Sequence, residues 1–140
     1  MQELDNCLSL AKKIRKKEED IEELKSRVMS PKGQIISDMP KGGGFGGNAL
    51  ESYYLKLERF NKIKLILQLS LNKHWKIVIS EFHRCGITDP QVIELMSLRY
   101  YKGREWKECC KIMRKKYPEN KWNKNKSMRI HRYVLCKLHK

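Results

Sequence analysis

A chain of 140 residues, 40% hydrophobic and 34% charged, has room for one domain or two small helical modules, and its mean hydropathy of −0.70 demands a wet surface. Thirty-one Lys and Arg against 16 Asp and Glu leave a net charge of +15, which favours a polyanionic partner. The sequence holds no apolar run of the roughly eighteen residues that a membrane span needs. Met1 to Asn6 carries two acids and no apolar stretch, unlike a secretory signal.

Five cysteines include the neighbours Cys109 and Cys110. Adjacent helical residues point about 100° apart and form no ordinary disulfide, so reduced thiols and a cytoplasmic location are expected.

Residues 2 to 29 read as one helix. Cys7, Leu10, Ile14, Lys17, Ile21, Leu24 and Val28 follow alternating steps of three and four, a heptad seam interrupted by one charge. The acids Glu18, Glu19, Asp20, Glu22 and Glu23 follow the basic block Lys12 to Lys17 within helical reach. Pro31 disfavours helix at Ser30 and ends the element.

Residues 30 to 47, with Pro31, Pro40 and the glycine cluster Gly42 to Gly47, are expected as a loop. It lacks the Gly-Lys-Ser/Thr ending of a phosphate loop and follows no strand, so it reads as a connector. A second long helix is expected from an Asn48 cap to Arg84. Leu50, Tyr53, Leu57, Phe60, Lys64, Leu67, Leu71, His74 and Val78 repeat the three-four rhythm. Two such rods predict an antiparallel hairpin over residues 1–85, although the same seam would serve a homodimer.

Gly86 stops the second helix, and Asp89-Pro90 offers an N-cap followed by a first-turn proline. Three short helices follow, forming an expected module over residues 86–140. The first, 90 to 101, has Val92, Ile93, Leu95, Met96 and Tyr100 inward. The second, 104 to 117, has Trp106, Cys109, Cys110, Ile112 and Met113 inward. The third runs from Asn123 to about His139. With no strand alternation in the chain, the fold class is all-α.

The last thirty residues, Lys111 to Lys140, hold eleven Lys or Arg and one acid, Glu119, a net +10. Apolar residues share the segment at helical spacing, so it folds as well as repels. Around the last helix, Ser127, Ile130, Val134 and Leu138 fall on one side, with His131 and Leu135 at its margin. Asn125, Arg129, Arg132, Tyr133 and Cys136 fall opposite, flanked by Lys126. In a helix-turn-helix the second helix enters the major groove, where Arg suits guanine and Asn suits adenine. Asn125, Lys126, Arg129 and Arg132 are therefore the candidate base contacts. Arg104, Lys111, Arg114, Lys115, Lys116, Lys121 and Lys124 are the candidate phosphate contacts, setting affinity without setting sequence.

No nucleophile-base-acid set is discernible, so an enzyme is not expected. His83 with Cys85, or Cys136 with His139, lack the further ligands that structural zinc needs, and no metal or cofactor is expected. Cys109 and Cys110 read as small core residues, His74 as a packed seam residue, and Trp106 and Trp122 as core anchors.

The stretch 89 to 108, with Leu98-Arg99-Tyr100, Lys102-Gly103 and Trp106-Lys107-Glu108, resembles a sigma-factor region-four helix-turn-helix, and Arg129-Ile130-His131 resembles the matching stretch of its recognition helix. Ile36 to Gly44 between two coiled helices is similar to small phage-encoded regulators of the RinA and ArpU types. The resemblance implies a DNA-binding transcriptional regulator of a phage or prophage, working in the bacterial cytoplasm on double-stranded DNA, with RNA polymerase as a further partner. Two departures stand out: Cys109-Cys110 replaces small aliphatic residues, and the turn Arg114 to Trp122 is longer and more basic than the pattern. The rival reading is a coiled-coil interaction protein whose basic end binds an acidic partner or RNA without sequence preference.

Overall fold

The structure, a computed structural model, describes residues 2–28 and 45–139, with side chains through Arg27 in the first segment and from Leu50 onward in the second. It is all-α, with no strand among the described residues. Two long helices, α1 (Gln2–Val28) and α2 (Phe45–Arg84), pack together as the expected antiparallel hairpin. They are followed by α3 (Pro90–Met96), a wider π-type turn (Ser97–Tyr101), α4 (Trp106–Lys116), a 3-10 turn (Pro118–Asn120) and α5 (Lys124–Leu138). No described helix is long and apolar enough to cross a membrane.

Of the expected loop, residues 30–44 lie outside the described residues. Residues 45–47 do not belong to it, because α2 already begins at Phe45 and Asn48 lies inside the helix rather than capping it.

The seam of α1 also differs from the expected one. Leu4, Cys7, Ala11, Ile14 and Ile21 are buried, whereas Leu10 and Leu24 are half-buried; the side chain of Val28 lies outside the described residues. The buried stripe thus includes Ala11 in place of Leu10.

Cα packing divides the chain into two compact units, one of Met1–Lys12 with Gln68–Lys140 and one of Lys13–Leu67. This differs from the expected division at residues 85 and 86. In the Lys13–Leu67 unit, both seam lysines have partners. Lys17 Nζ lies 4.6 Å over the Phe60 ring, and Lys64 Nζ lies 3.6 Å from Glu18. A long lysine stem packs on apolar surface while its charge meets a π face or a carboxylate.

The other unit shares one core between the hairpin ends and the short helices. Leu4 and Cys7 of α1, Leu71, Val78 and Phe82 of α2, then Ile87, Leu95, Met96, Tyr100, Met113, Trp122 and Val134 are all buried. Asp89 caps α3 by accepting from Gln91 N at 2.9 Å, with Pro90 next, as expected. The single helix expected over 90–101 instead widens, with Lys102 N donating to Ser97 O at 3.0 Å. The wider turn directs its two tyrosines to different neighbours. Tyr101 Oη donates to Asn72 Oδ1 at 2.5 Å and accepts from Gln68 Nε2 at 3.1 Å, with its ring 5.6 Å from Trp75. Gly103, at φ +66, turns the chain into α4, a backbone region that a side chain would strain.

Because Leu71, Val78 and Phe82 belong to this core, a fragment of residues 86–140 should lose cooperative thermal unfolding that the full chain shows by circular dichroism. Tyr101→Phe removes both bonds to α2 and should cost about 1–2 kcal/mol, a fall in Tm of about 3–8 °C without loss of helix content.

Candidate nucleic-acid interface

Helix α5 begins where Asn123 Oδ1 accepts from Lys126 N at 2.8 Å. Its inner side is keyed to α4 by Ser127, fully buried, whose Oγ lies 3.1 Å from Cys110 Sγ, and by Val134, also fully buried. The Cys109-Cys110 departure therefore has a structural role, since one thiol meets Ser127 and the other fills the core among Leu95, Leu98, Met113 and Trp122. Burial pushes the Cys109 thiol up to about 11, which keeps it protonated and unreactive at neutral pH.

A third key is His131. Its Nε2 lies 2.6 Å from Tyr100 Oη, its ring stacks on Tyr100 at 5.8 Å, and Trp106 meets it edge-on at 4.7 Å. Burial, then the charge of Arg99, holds the imidazole below its ordinary range. Arg99 in turn lies 5.3 Å over Trp106 and donates to Arg104 O at 3.0 Å.

The long turn before α5 is anchored on three sides. Tyr117 Oη donates to Glu94 at 2.6 Å, and Lys116 Nζ donates to the same carboxylate. Burial opposes ionisation of Glu94, but these two hydrogen bonds and the lysine charge outweigh it and lower its pKa. Asn120 Nδ2 donates to Gln91 Oε1 at 2.9 Å, and Arg114 Nε donates to Trp122 O at 3.1 Å. Lys126 Nζ donates to Asn120 O at 2.8 Å and lies 4.7 Å over the buried Trp122 ring. Lys121 takes a left-handed conformation, φ +49, where the 3-10 turn ends. These contacts fix the orientation of α5 against α3 and α4, the feature that the lengthened turn left open in the sequence.

The expected site residues now separate by what else they hold. Asn125, Arg129 and Arg132 are exposed together on the outer side of α5, joined by Tyr133, half exposed. Lys126 is half-buried and committed to the turn. Lys111, Lys115, Lys121 and Lys124 are exposed. Arg104 is half-buried and paired with Glu108 at 3.1 Å, Lys116 is held by Glu94, and Arg114 spans to the turn. Two depressions flank the start of α5. One is lined by Glu105, Trp106, Lys107, Cys110, Lys111, Arg114 and Lys124, and the other by Asn120, Lys121, Asn123, Lys126, Arg129, Ile130 and Tyr133.

Lys107 and Tyr133 are thus additions to the expected set. Lys107 was legible in its spacing, four residues before Lys111 and seven before Arg114 on one helical side. Among the described residues no group of three or more His, Cys, Asp or Glu is placed to hold a metal ion.

No family model, curated protein or solved structure matches this chain. The likeness to region-four and phage regulators thus rests on the motif residues alone, and what this surface does is argued from its geometry.

The junction at His131 has a pH signature. A folded-state pKa below the unfolded value of about 6.5 means that the neutral ring's contribution is complete above that pH and fades as acid protonates it. Thermal melts at pH 7.5 and 5.0 should therefore show a larger acid-induced fall in Tm for the wild type than for His131→Phe, which keeps the stack and does not titrate.

Proposed function

We propose that the chain is a sequence-specific DNA-binding regulator that reads the major groove with α5. The observation that carries the reading is the two-sidedness of that helix. Ser127 and Val134 lock one side into the core, while Asn125, Arg129 and Arg132 stand exposed on the other, inside a segment of net charge +10. From Asn125 to Arg132 the helix rises about 10 Å, the axial length of about three base pairs. Side chains over that length include the two types that form paired hydrogen bonds with guanine and adenine edges.

Lys107, Lys111, Lys115, Lys121 and Lys124 would meet phosphates on either side, supplying affinity that is blind to sequence. Arg104, Lys116 and Lys126 act differently in this reading. Their charge still adds to the field, but their geometry serves the fold, so they orient the reading helix instead of touching DNA. No catalytic step and no cofactor enter this function. The likeness to phage regulators supports transcriptional control of phage or prophage genes in a bacterial cytoplasm, with the polymerase as the downstream partner.

Selection of sites from a random duplex pool with the full chain supplies the specific duplex. Arg129→Ala and Arg132→Ala should each lose about 1–3 kcal/mol of discrimination for it, with non-specific binding less affected. Equal losses on every sequence would reject the assignment. With five or six phosphates neutralised, log affinity should fall against log salt with a slope of about −5. A flat response would exclude electrostatic docking.

A further inference from the structure

The first half of α2 is apolar on two opposite sides. Within the Lys13–Leu67 unit, Tyr53, Leu57, Phe60, Lys64 and Leu67 are half-buried, on the side marked by the Lys17–Phe60 and Glu18–Lys64 contacts. On the other side Tyr54, Leu55, Leu65 and Ile66 are 62, 63, 59 and 65% exposed. Among the described residues of this unit no third layer covers them, and large apolar side chains clustered on a strongly charged surface mark an interaction site.

The pattern of this face says what covers it. Advancing 100° per residue, the order around the helix within residues 54–66 is Tyr54, Leu65, Glu58, Lys62, Leu55, Ile66, over an arc of about 120°. A two-fold rotation about the point midway between Glu58 and Lys62 exchanges Tyr54 with Ile66, Leu55 with Leu65, and Glu58 with Lys62. At the rim it exchanges Arg59 with Asn61, so no like charges meet. Apolar groups fall on apolar groups, and the one acid falls on the one base.

We infer that this face docks on the same face of a second copy of the chain, with the two α2 helices antiparallel about an axis at the level of Phe60. A two-fold interface must be complementary to itself, each residue meeting the partner of its symmetry mate, and over residues 54–66 that condition is met in position, apolar character and charge. Four apolar side chains per copy place the interface at the small end of specific ones, so the dimer is weak, with a Kd on the order of micromolar. The inference concerns a different unit from the DNA-reading helix and does not depend on DNA binding.

Sedimentation velocity of the full chain without DNA, from about 1 to about 200 µM, tests it. The expected result is a concentration-dependent shift from monomer to dimer mass. Glu58→Lys and Lys62→Glu should each weaken association at least about tenfold by setting like charges opposite one another. The double variant Glu58→Lys/Lys62→Glu restores opposite charges across the axis and should recover wild-type association to within a few-fold. Circular dichroism of all three variants should match the wild type, since both positions are exposed. A chain that stays monomeric throughout would leave the face to some other protein and overturn the inference. Single variants that associate unchanged, or a double variant that fails to recover, would overturn it equally.

Discussion

Tyr100 and Tyr101 are adjacent, and the unit that carries α5 depends on their facing different neighbours. Tyr100 is buried and meets His131 of α5, while Tyr101 meets Asn72, Gln68 and Trp75 of α2. The widened turn from Ser97 to Tyr101 makes room for both contacts. Burial raises the Tyr100 hydroxyl pKa, so at neutral pH it is a proton donor available to the neutral His131 ring. One short segment thus ties the C-terminal part of α2 to α5. Three short helices of this size bury too little on their own, which is why the core draws on Leu71, Val78 and Phe82 from α2 and on Leu4 and Cys7 from α1.

The dense positive charge is divided by its carboxylate and carbonyl partners. Glu94 gathers Lys116 and Tyr117, Glu108 holds Arg104, and the carbonyls of Trp122 and Asn120 hold Arg114 and Lys126. Each bond fixes a long side chain that would otherwise stay mobile in solvent, and the shared result is a rigid turn. Outside this network, Lys111, Lys115, Lys121 and Lys124 remain exposed. A turn with the same composition but without Glu94 and Gln91 to receive it would have the charge and lack the orientation.

Most of the secondary structure was legible, because periodicity and punctuation report it directly. The all-α class, the two rods, the Asp89-Pro90 start and the two sides of α5 all follow from spacing. What escaped the sequence has physical causes. Leu10 outranks Ala11 on any hydrophobic scale, yet Ala11 is the buried one of the two, which depends on where the second helix packs and not on the residue itself. No residue type announces a π-type turn, so 90–101 reads as uniform helix. Lys126 and Arg129 look alike in sequence; the carbonyl of Asn120, six residues upstream through an irregular turn, makes one a brace and leaves the other outward. The division of the chain into units was hidden for a related reason. Helix boundaries are local, whereas the sharing of a core between α2 and α3 to α5 is a tertiary fact.

Helix α5 is also connected with the far end of the sequence. His74 Nδ1 lies 2.6 Å from Glu3 Oε2, so the first turn of α1 is tied to the part of α2 that carries Trp75. Trp75 packs on both Tyr101 and Phe82, and Phe82 O receives the backbone of Ile87 at 2.8 Å, where the chain leaves the hairpin. The N-terminal turn is therefore part of the support of α5, although it is more than a hundred residues away in sequence and carries no residue expected to touch DNA. Substitutions there would act through the fold, by loosening the support of α5, whereas Arg129 and Arg132 are exposed and can be changed without touching that support. The residues that hold α5 in place are thus separate from those that it presents to solvent.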